Sequence, residues 1–184
     1  IGYKPGEMAP ANDDGRSFLS TTGCRVYQMI YNSMVFAIWD VGGQPTDISH
    51  WPLYLNDPSV VFFVVDSLKN VQHLASEDQS RFKQVLDWID EGNETKSNIN
   101  KPFIYVLLTK RDVESGLNSV EMLNYIKVDK LCKERNFKFH VHEVSSNHKE
   151  DLEKIKATLF DTCLNQIKTS NMPVKKSVSQ AANV

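Results

Sequence analysis

Excess charge of either sign is nearly absent from this chain. Its 184 residues carry 21 Lys and Arg against 23 Asp and Glu, a net charge of -2, so electrostatics give no reason to expect nucleic acid or an acidic membrane surface as a partner. Cysteine is scarce. Cys24, Cys132 and Cys163 are too few and too scattered for a disulfide framework or a zinc site. They read as reduced thiols of an intracellular protein, two of them on apolar helix faces. No apolar run approaches the length of a membrane span, no signal peptide is visible, and there are no internal repeats. An initial methionine is lacking too: residue 1 is Ile, and further residues are expected ahead of it.

What is present is ordinary for a globular chain, with 41% hydrophobic and 24% charged residues at a length that can bury one core. Residues 1–169 are expected to form a single domain and 170–184 a solvated tail without periodicity. Residues 1–20 mix Pro5, Pro10, Gly2, Gly6 and Gly15 with Asn12-Asp13-Asp14, a long loop of the kind that is functional or mobile. Cys24 to Tyr31 alternates weakly, as a strand does. Asn32-Ser33 is placed as a hairpin turn into Met34–Trp39. Val60 to Asp66 is the strongest strand, and Phe103 to Leu108 is another apolar run. Phe82, Val85, Leu86 and Ile89 recur at helical spacing and predict a helix over Asp78–Glu91, followed by a surface loop from Gly92 to Asn100. A helix follows Ser119, with Leu123, Ile126 and Leu131 apolar. Phe137 to Val144 alternates as an edge strand with His140 and His142 toward solvent. Leu152, Ile155, Leu159, Phe160, Cys163 and Ile167 make the stripe of a last helix. Strands alternating with helices in this way predict an α/β fold, a mostly parallel sheet with helices on both faces.

The chain is organised around Phe36-Ala37-Ile38-Trp39-Asp40-Val41-Gly42-Gly43-Gln44. An apolar run ends abruptly in an acid, two glycines and a glutamine. Such runs suit parallel strands covered on both faces, and ligands of open α/β sheets sit at the carboxyl ends of their strands. Adjacent glycines let backbone N–H groups approach an anion with no Cβ in the way. On these residues alone a strand running into a Gly-Gly turn is the preferred reading.

Three strand ends carry polar clusters in the order Asp40-Val41-Gly42-Gly43-Gln44, Thr109-Lys110-Arg111-Asp112 and Ser145-Ser146-Asn147. At these residues the sequence resembles the Arf-like branch of the Ras superfamily of small GTP-binding proteins. Trp39 to Gln44 is similar to that branch's switch II signature, Thr21-Thr22-Gly23 to its switch I, and Val64-Val65-Asp66-Ser67 to its strand ending in Asp-Ser. Thr109-Lys110-Arg111-Asp112 resembles the guanine-reading Asn-Lys-x-Asp with Thr for Asn, Asn118-Ser119-Val120-Glu121 the family's Asn-Ala-Ala-Glu, and Ser145-Ser146-Asn147 its Ser-Ala-Lys. The resemblance runs from about Gly6 to Lys168.

The resemblance implies GTP or GDP and Mg²⁺ as cofactors, with a P-loop NTPase type of fold. Asp40 and Thr21 would serve the metal, and the N–H of Gly43 the γ-phosphate. Gln44 would orient the attacking water, as a glutamine does in other enzymes of this chemistry. Asp112 would accept two guanine N–H groups, with Thr109, Lys110, Ser145 and Ser146 completing the base site. Effector and regulatory proteins would dock on switch loops 6–23 and 42–56. Peripheral membrane association would need an N-terminal segment ahead of Ile1. Taken without the resemblance, Thr21 is a loop threonine, and Lys110-Arg111-Asp112 and Ser145-Ser146-Asn147 are surface turns. His50-Trp51-Pro52 is similar to Rab-like proteins of ciliary transport, which implies a ciliary place for the protein.

The family's first strand, phosphate loop and first helix have no counterpart here: no Gly-x-x-x-x-Gly-Lys-Ser/Thr occurs. The absent strand would lie between Met34–Trp39 and Val60–Asp66, roughly 10 Å apart without it. About five backbone groups left unpaired, at roughly 1–3 kcal/mol each, approach the whole stability of a domain. A central strand is therefore expected from residues preceding Ile1, carrying the phosphate loop with it. Two functions follow as alternatives. One is an Arf-like nucleotide-dependent switch in trafficking with slow GTP hydrolysis. The other is a pseudo-GTPase that serves as an interaction module or as a structural subunit of a larger assembly and binds no nucleotide.

Overall fold

The computed structural model describes residues 21–55, 57–68, 71–94, 101–112, 117–145, 147, 153, 156–157 and 159–165. The expectations for 1–20 and 170–184, for Ser146, and for Leu152, Ile155 and Ile167 fall outside them. The described residues divide into two compact units, 21–54 and 55–165.

The first unit is a hairpin followed by two single-turn helices. Strand β1 (Cys24–Tyr31) pairs antiparallel with β2 (Met34–Val41), from Cys24 opposite Val41 to Tyr31 opposite Met34. Asn32 and Ser33 turn the chain with φ of 48° and 62°. Two successive positive φ values make a type I′ turn, whose twist matches that of the flanking strands. Helix α1 (Pro45–Ile48) starts on a proline, which costs a helix nothing in its first turn, and α2 (Trp51–Tyr54) follows. The expectation of a parallel strand covered on both faces is corrected here. Among the described residues β2 pairs only with β1, and its residues alternate in exposure, with Val35 51% and Trp39 54% exposed. An apolar run is compatible with two covered faces but does not enforce them; the cover has to come from other elements.

The second unit is a parallel sheet in the order β3 (Val60–Asp66), β4 (Phe103–Thr109), β5 (Phe139–Glu143). The register places Val61, Phe63 and Val65 beside Ile104, Val106 and Leu108, with Phe139 and Val141 beyond. The long helix α4 (Gln79–Glu94) covers this face: Phe82, Val85, Leu86 and Ile89 are buried, and Phe82 meets Phe63 edge-on at 5.0 Å between ring centres. A short helix α3 (Val71–His73) and a π-helical turn (Leu74–Asp78) lead into it. Helix α4 continues to Glu94, so Gly92, Asn93 and Glu94 are helical and not the start of the expected loop, whose residues 95–100 lie outside the described ones.

The single helix expected after Ser119 is two, α5 (Ser119–Ile126) and α6 (Val128–Glu134), parted by Lys127 in the left-handed region at φ 58°. Apolar spacing runs on through the break, because Met122, Ile126, Val128, Leu131 and Cys132 are all buried. Asn118 and Glu121 close a capping box on α5, with the Glu121 N–H donating to Asn118 Oδ1 at 3.0 Å and the Asn118 N–H to Glu121 Oε2 at 3.1 Å. All three cysteines are free, and burial raises Cys132 to about 12 and Cys163 to about 11, so both are inert packing groups.

The opposite face carries Phe62, Tyr105, His140 and His142. Tyr105 is fully buried and stacks with Phe62 at 5.3 Å and with His142 at 5.6 Å. His142 therefore does not point to solvent as alternation predicts. Its Nε2 is buried without a partner among the described residues. Burial, and after it electrostatic repulsion between its imidazole and that of the neighbouring His140, lowers the His142 pKa. A folded-state pKa below the unfolded value leaves full stability above about pH 6.5 and loses it as pH falls through the folded pKa. The thermal midpoint should accordingly fall more between pH 7.5 and 5 for the wild type than for His142→Gln. Equal slopes in the two proteins would refute the assignment.

Candidate functional site

Each unit holds one cluster of the residues singled out above. In the first, the carboxyl end of β2 delivers Asp40, and Thr21 comes to it from 19 residues earlier. Thr21 Oγ1 donates to Asp40 Oδ2 at 3.1 Å. The pair is exposed at the strand end, and Gly43 and Gln44 lie just beyond, also exposed. Gln44 is the extended residue that caps α1, and its carbonyl accepts the N–H groups of Asp47 at 2.8 Å and Ile48 at 3.2 Å.

The two glycines have different reasons to be there. A Cβ on Gly42 would collide with Asp47 Oδ2 and lie 2.5 Å from the Thr21 carbonyl oxygen. A Cβ on Gly43 would meet no atom within 4 Å. The chain's own packing thus requires glycine at 42 and gives no reason for it at 43.

A residue that sequence inspection misses holds this end together. Asp47, 6% exposed, accepts the Gly23 N–H on Oδ1 at 3.0 Å. The Gly42 N–H donates to the Gly23 carbonyl at 2.7 Å, and the Trp51 indole to the Gly42 carbonyl at 2.8 Å. Asp47 Oδ2 is buried without a hydrogen-bond partner among the described residues. Nothing local in Pro45-Thr46-Asp47 signals a bond to Gly23, because the donor is 24 residues away.

In the second unit the strand ends β3, β4 and β5 carry the other cluster. Thr109 Oγ1 donates to the Val65 carbonyl at 2.9 Å, so its hydroxyl clamps β4 to β3. Lys110, left-handed at φ 60°, reaches Asp66 Oδ2 at 2.8 Å. Arg111 donates to the Leu117 carbonyl at 3.0 Å. Asp112 is exposed, and both of its oxygens are engaged: Ser145 Oγ donates to Oδ1 at 2.6 Å and Asn147 Nδ2 to Oδ2 at 2.6 Å. Ser145 is buried, and its Oγ also accepts the Asn147 N–H at 3.2 Å. Asp112 and Ser145 are thus brought together, while Ser146 lies outside the described residues. Asn147 is the addition. Its amide hydrogen bond to Asp112 spans 35 residues of chain, so the sequence carries no local signal for it.

A hard cation takes oxygen ligands, and the hydroxyl and carboxylate of Thr21 and Asp40 are of that kind. No group of three or more His, Cys, Asp or Glu that could hold a metal occurs among the described residues. A cation here would complete its shell with phosphate oxygens and water.

The sequence model of the ADP-ribosylation factor family matches residues 11–163. ADP-ribosylation factor K of Dictyostelium discoideum is 27% identical over 113 residues, 61% of this chain and 55% of that protein. Mouse (Mus musculus) ADP-ribosylation factor-like protein 14 is 28% identical over 108 residues, 59% and 52% of the two chains. The chain thus spans about half the length of these two curated relatives. It covers more of Drosophila melanogaster ADP-ribosylation factor-like protein 1, 24% identical over 144 residues, 78% and 73% of the two chains. Among solved structures, the Arl6 BBS3 small GTPase from Trypanosoma brucei with bound GppNp superposes with a TM-score of 0.68. It covers 85% of this chain and 86% of that one at 19% identity, a likeness of fold.

Proposed function

The chain belongs to the ADP-ribosylation factor family, and from that premise we propose that it is a guanine-nucleotide switch with slow GTP hydrolysis, working in intracellular trafficking. The observation that carries the proposal is the 3.1 Å contact between Thr21 and Asp40, two oxygen-bearing side chains from separate segments meeting at a strand end. Bound Mg²⁺ would supply charge neutralisation at the phosphates. Asp40 would hold its water shell and Thr21 would contribute a hydroxyl oxygen once triphosphate is present. Gly43, the glycine that packing does not require, leaves its N–H approachable by a phosphate oxygen. Gln44, exposed at the start of α1, would orient the attacking water. Asp112 would accept the N–H groups of guanine, with Ser145 steadying its carboxylate. Reordering of segments 6–23 and 42–56 would change which effectors and regulators bind.

One observation favours a second reading, a nucleotide-free interaction module. The hydroxyl of Thr109 and both oxygens of Asp112 are engaged within the protein. A direct experiment separates the two. Full-length protein purified in magnesium and then denatured should release about one guanine nucleotide per chain on chromatography, and EDTA should strip it beforehand. Gln44→Ala should slow single-turnover GTP hydrolysis about 100-fold without loss of the bound nucleotide. Protein that retains no guanine nucleotide at micromolar concentration with magnesium would leave only the second reading.

A further inference from the structure

We infer that the side-chain amide of Asn147 is a built-in competitor for the base, occupying the carboxylate of Asp112 until a guanine displaces it. The inference rests on the guanine-nucleotide reading above and adds a residue that sets how tightly that site binds. Guanine presents two neighbouring N–H donors on one edge, and a carboxylate accepts such a pair with its two oxygens. In this structure Asp112 already receives one donor on each oxygen, from Ser145 Oγ and from Asn147 Nδ2, both at 2.6 Å.

The two donors are not equivalent. Ser145 is buried, and its oxygen also accepts the Asn147 N–H, so it is fixed in place. A carboxylate oxygen has two lone pairs, and Oδ1 can keep Ser145 while accepting a second donor. Asn147 is exposed, and its amide turns on side-chain torsions alone without disturbing the backbone bond to Ser145. It is the group that leaves. Its bond to Asp112 is charge-assisted and has to be broken for the base to enter, and we expect that competition to lower affinity about tenfold, about 1.4 kcal/mol.

The test uses the full-length protein and GDP with magnesium, followed by calorimetry, with ADP as the control nucleotide. Asn147→Leu keeps the number and branching of the side-chain heavy atoms and removes both amide donors; it should bind GDP about tenfold more tightly than the wild type, with no gain for ADP. In the wild type, the side-chain amide protons of Asn147 should resonate as hydrogen-bonded in the free protein and lose that signature as GDP saturates. Wild-type binding of GDP with Asn147→Leu equal or weaker would overturn the inference and leave the nucleotide reading standing, because Asn147 would then only steady the loop. An Asn147 amide signal unmoved at GDP saturation would overturn it independently of any variant. Failure of both proteins to bind GDP would remove the nucleotide reading and this inference with it.

Discussion

Gly42→Ala is expected to open the end of the β1–β2 hairpin. The added methyl would overlap Asp47 Oδ2 and sit 2.5 Å from the Thr21 carbonyl oxygen, which belongs to the backbone and cannot turn aside. Either Thr21 or Gly42 has to move, and both are tied in. The Gly42 N–H bonds the Gly23 carbonyl at 2.7 Å, the Gly23 N–H bonds Asp47 at 3.0 Å, and the Trp51 indole bonds the Gly42 carbonyl at 2.8 Å. Overpacking costs about 1–3 kcal/mol and each lost hydrogen bond about 0.5–1.5 kcal/mol, together about 2–4 kcal/mol. Amide exchange at Gly42 and Gly23 should therefore quicken about 30- to 1000-fold. The hydrogen bond between Thr21 and Asp40 should go with it, since Thr21 is one of the displaced residues. Gly43→Ala is the control: its methyl meets nothing within 4 Å, so exchange should stay within a few fold of wild type. Similar exchange in the two variants would refute the steric account.

Phe82→Ala should be the most destabilising single change in the second unit. Its ring is fully buried on α4 and meets Phe63 edge-on at 5.0 Å. Truncating a buried Phe costs about 3–5 kcal/mol, a large part of the roughly 5–15 kcal/mol that holds a domain folded. Phe62, one residue along β3 from Phe63, supplies the comparison. It stacks on Tyr105 across the other face but is 39% exposed, so Phe62→Ala should cost less than half as much. Urea denaturation followed by circular dichroism measures both. Equal losses would mean that α4 is not the principal cover of the sheet.

Local signals carried much of the fold. Phe82, Val85, Leu86 and Ile89 mark one face of a helix by spacing alone, and all four are buried. The turn at Asn32-Ser33 and the capping box of Asn118 and Glu121 are set by residues no more than three apart in the chain. The strand ends bearing Asp40, Asp112 and Ser145 were legible because an apolar run stops at a polar residue. The break at Lys127 was not, since the burial of Met122, Ile126 and Val128 continues the helical spacing through it. His142 was misplaced because alternation treats every second residue as solvated, whereas Tyr105 on the neighbouring strand gives its ring an apolar partner.

By itself the sequence determined the order of the principal strands and the long helix, the family, and where apolar runs end in polar side chains. These rest on short-range periodicity and on motifs within a few residues. Only the tertiary structure decided which of those side chains are engaged and by what. Asp47 holds Gly23 across 24 residues, Thr21 meets Asp40 across 19, and Asn147 occupies Asp112 across 35. A hydrogen bond forms over about 3 Å of space whatever length of chain separates its ends, and that separation is what no local pattern encodes.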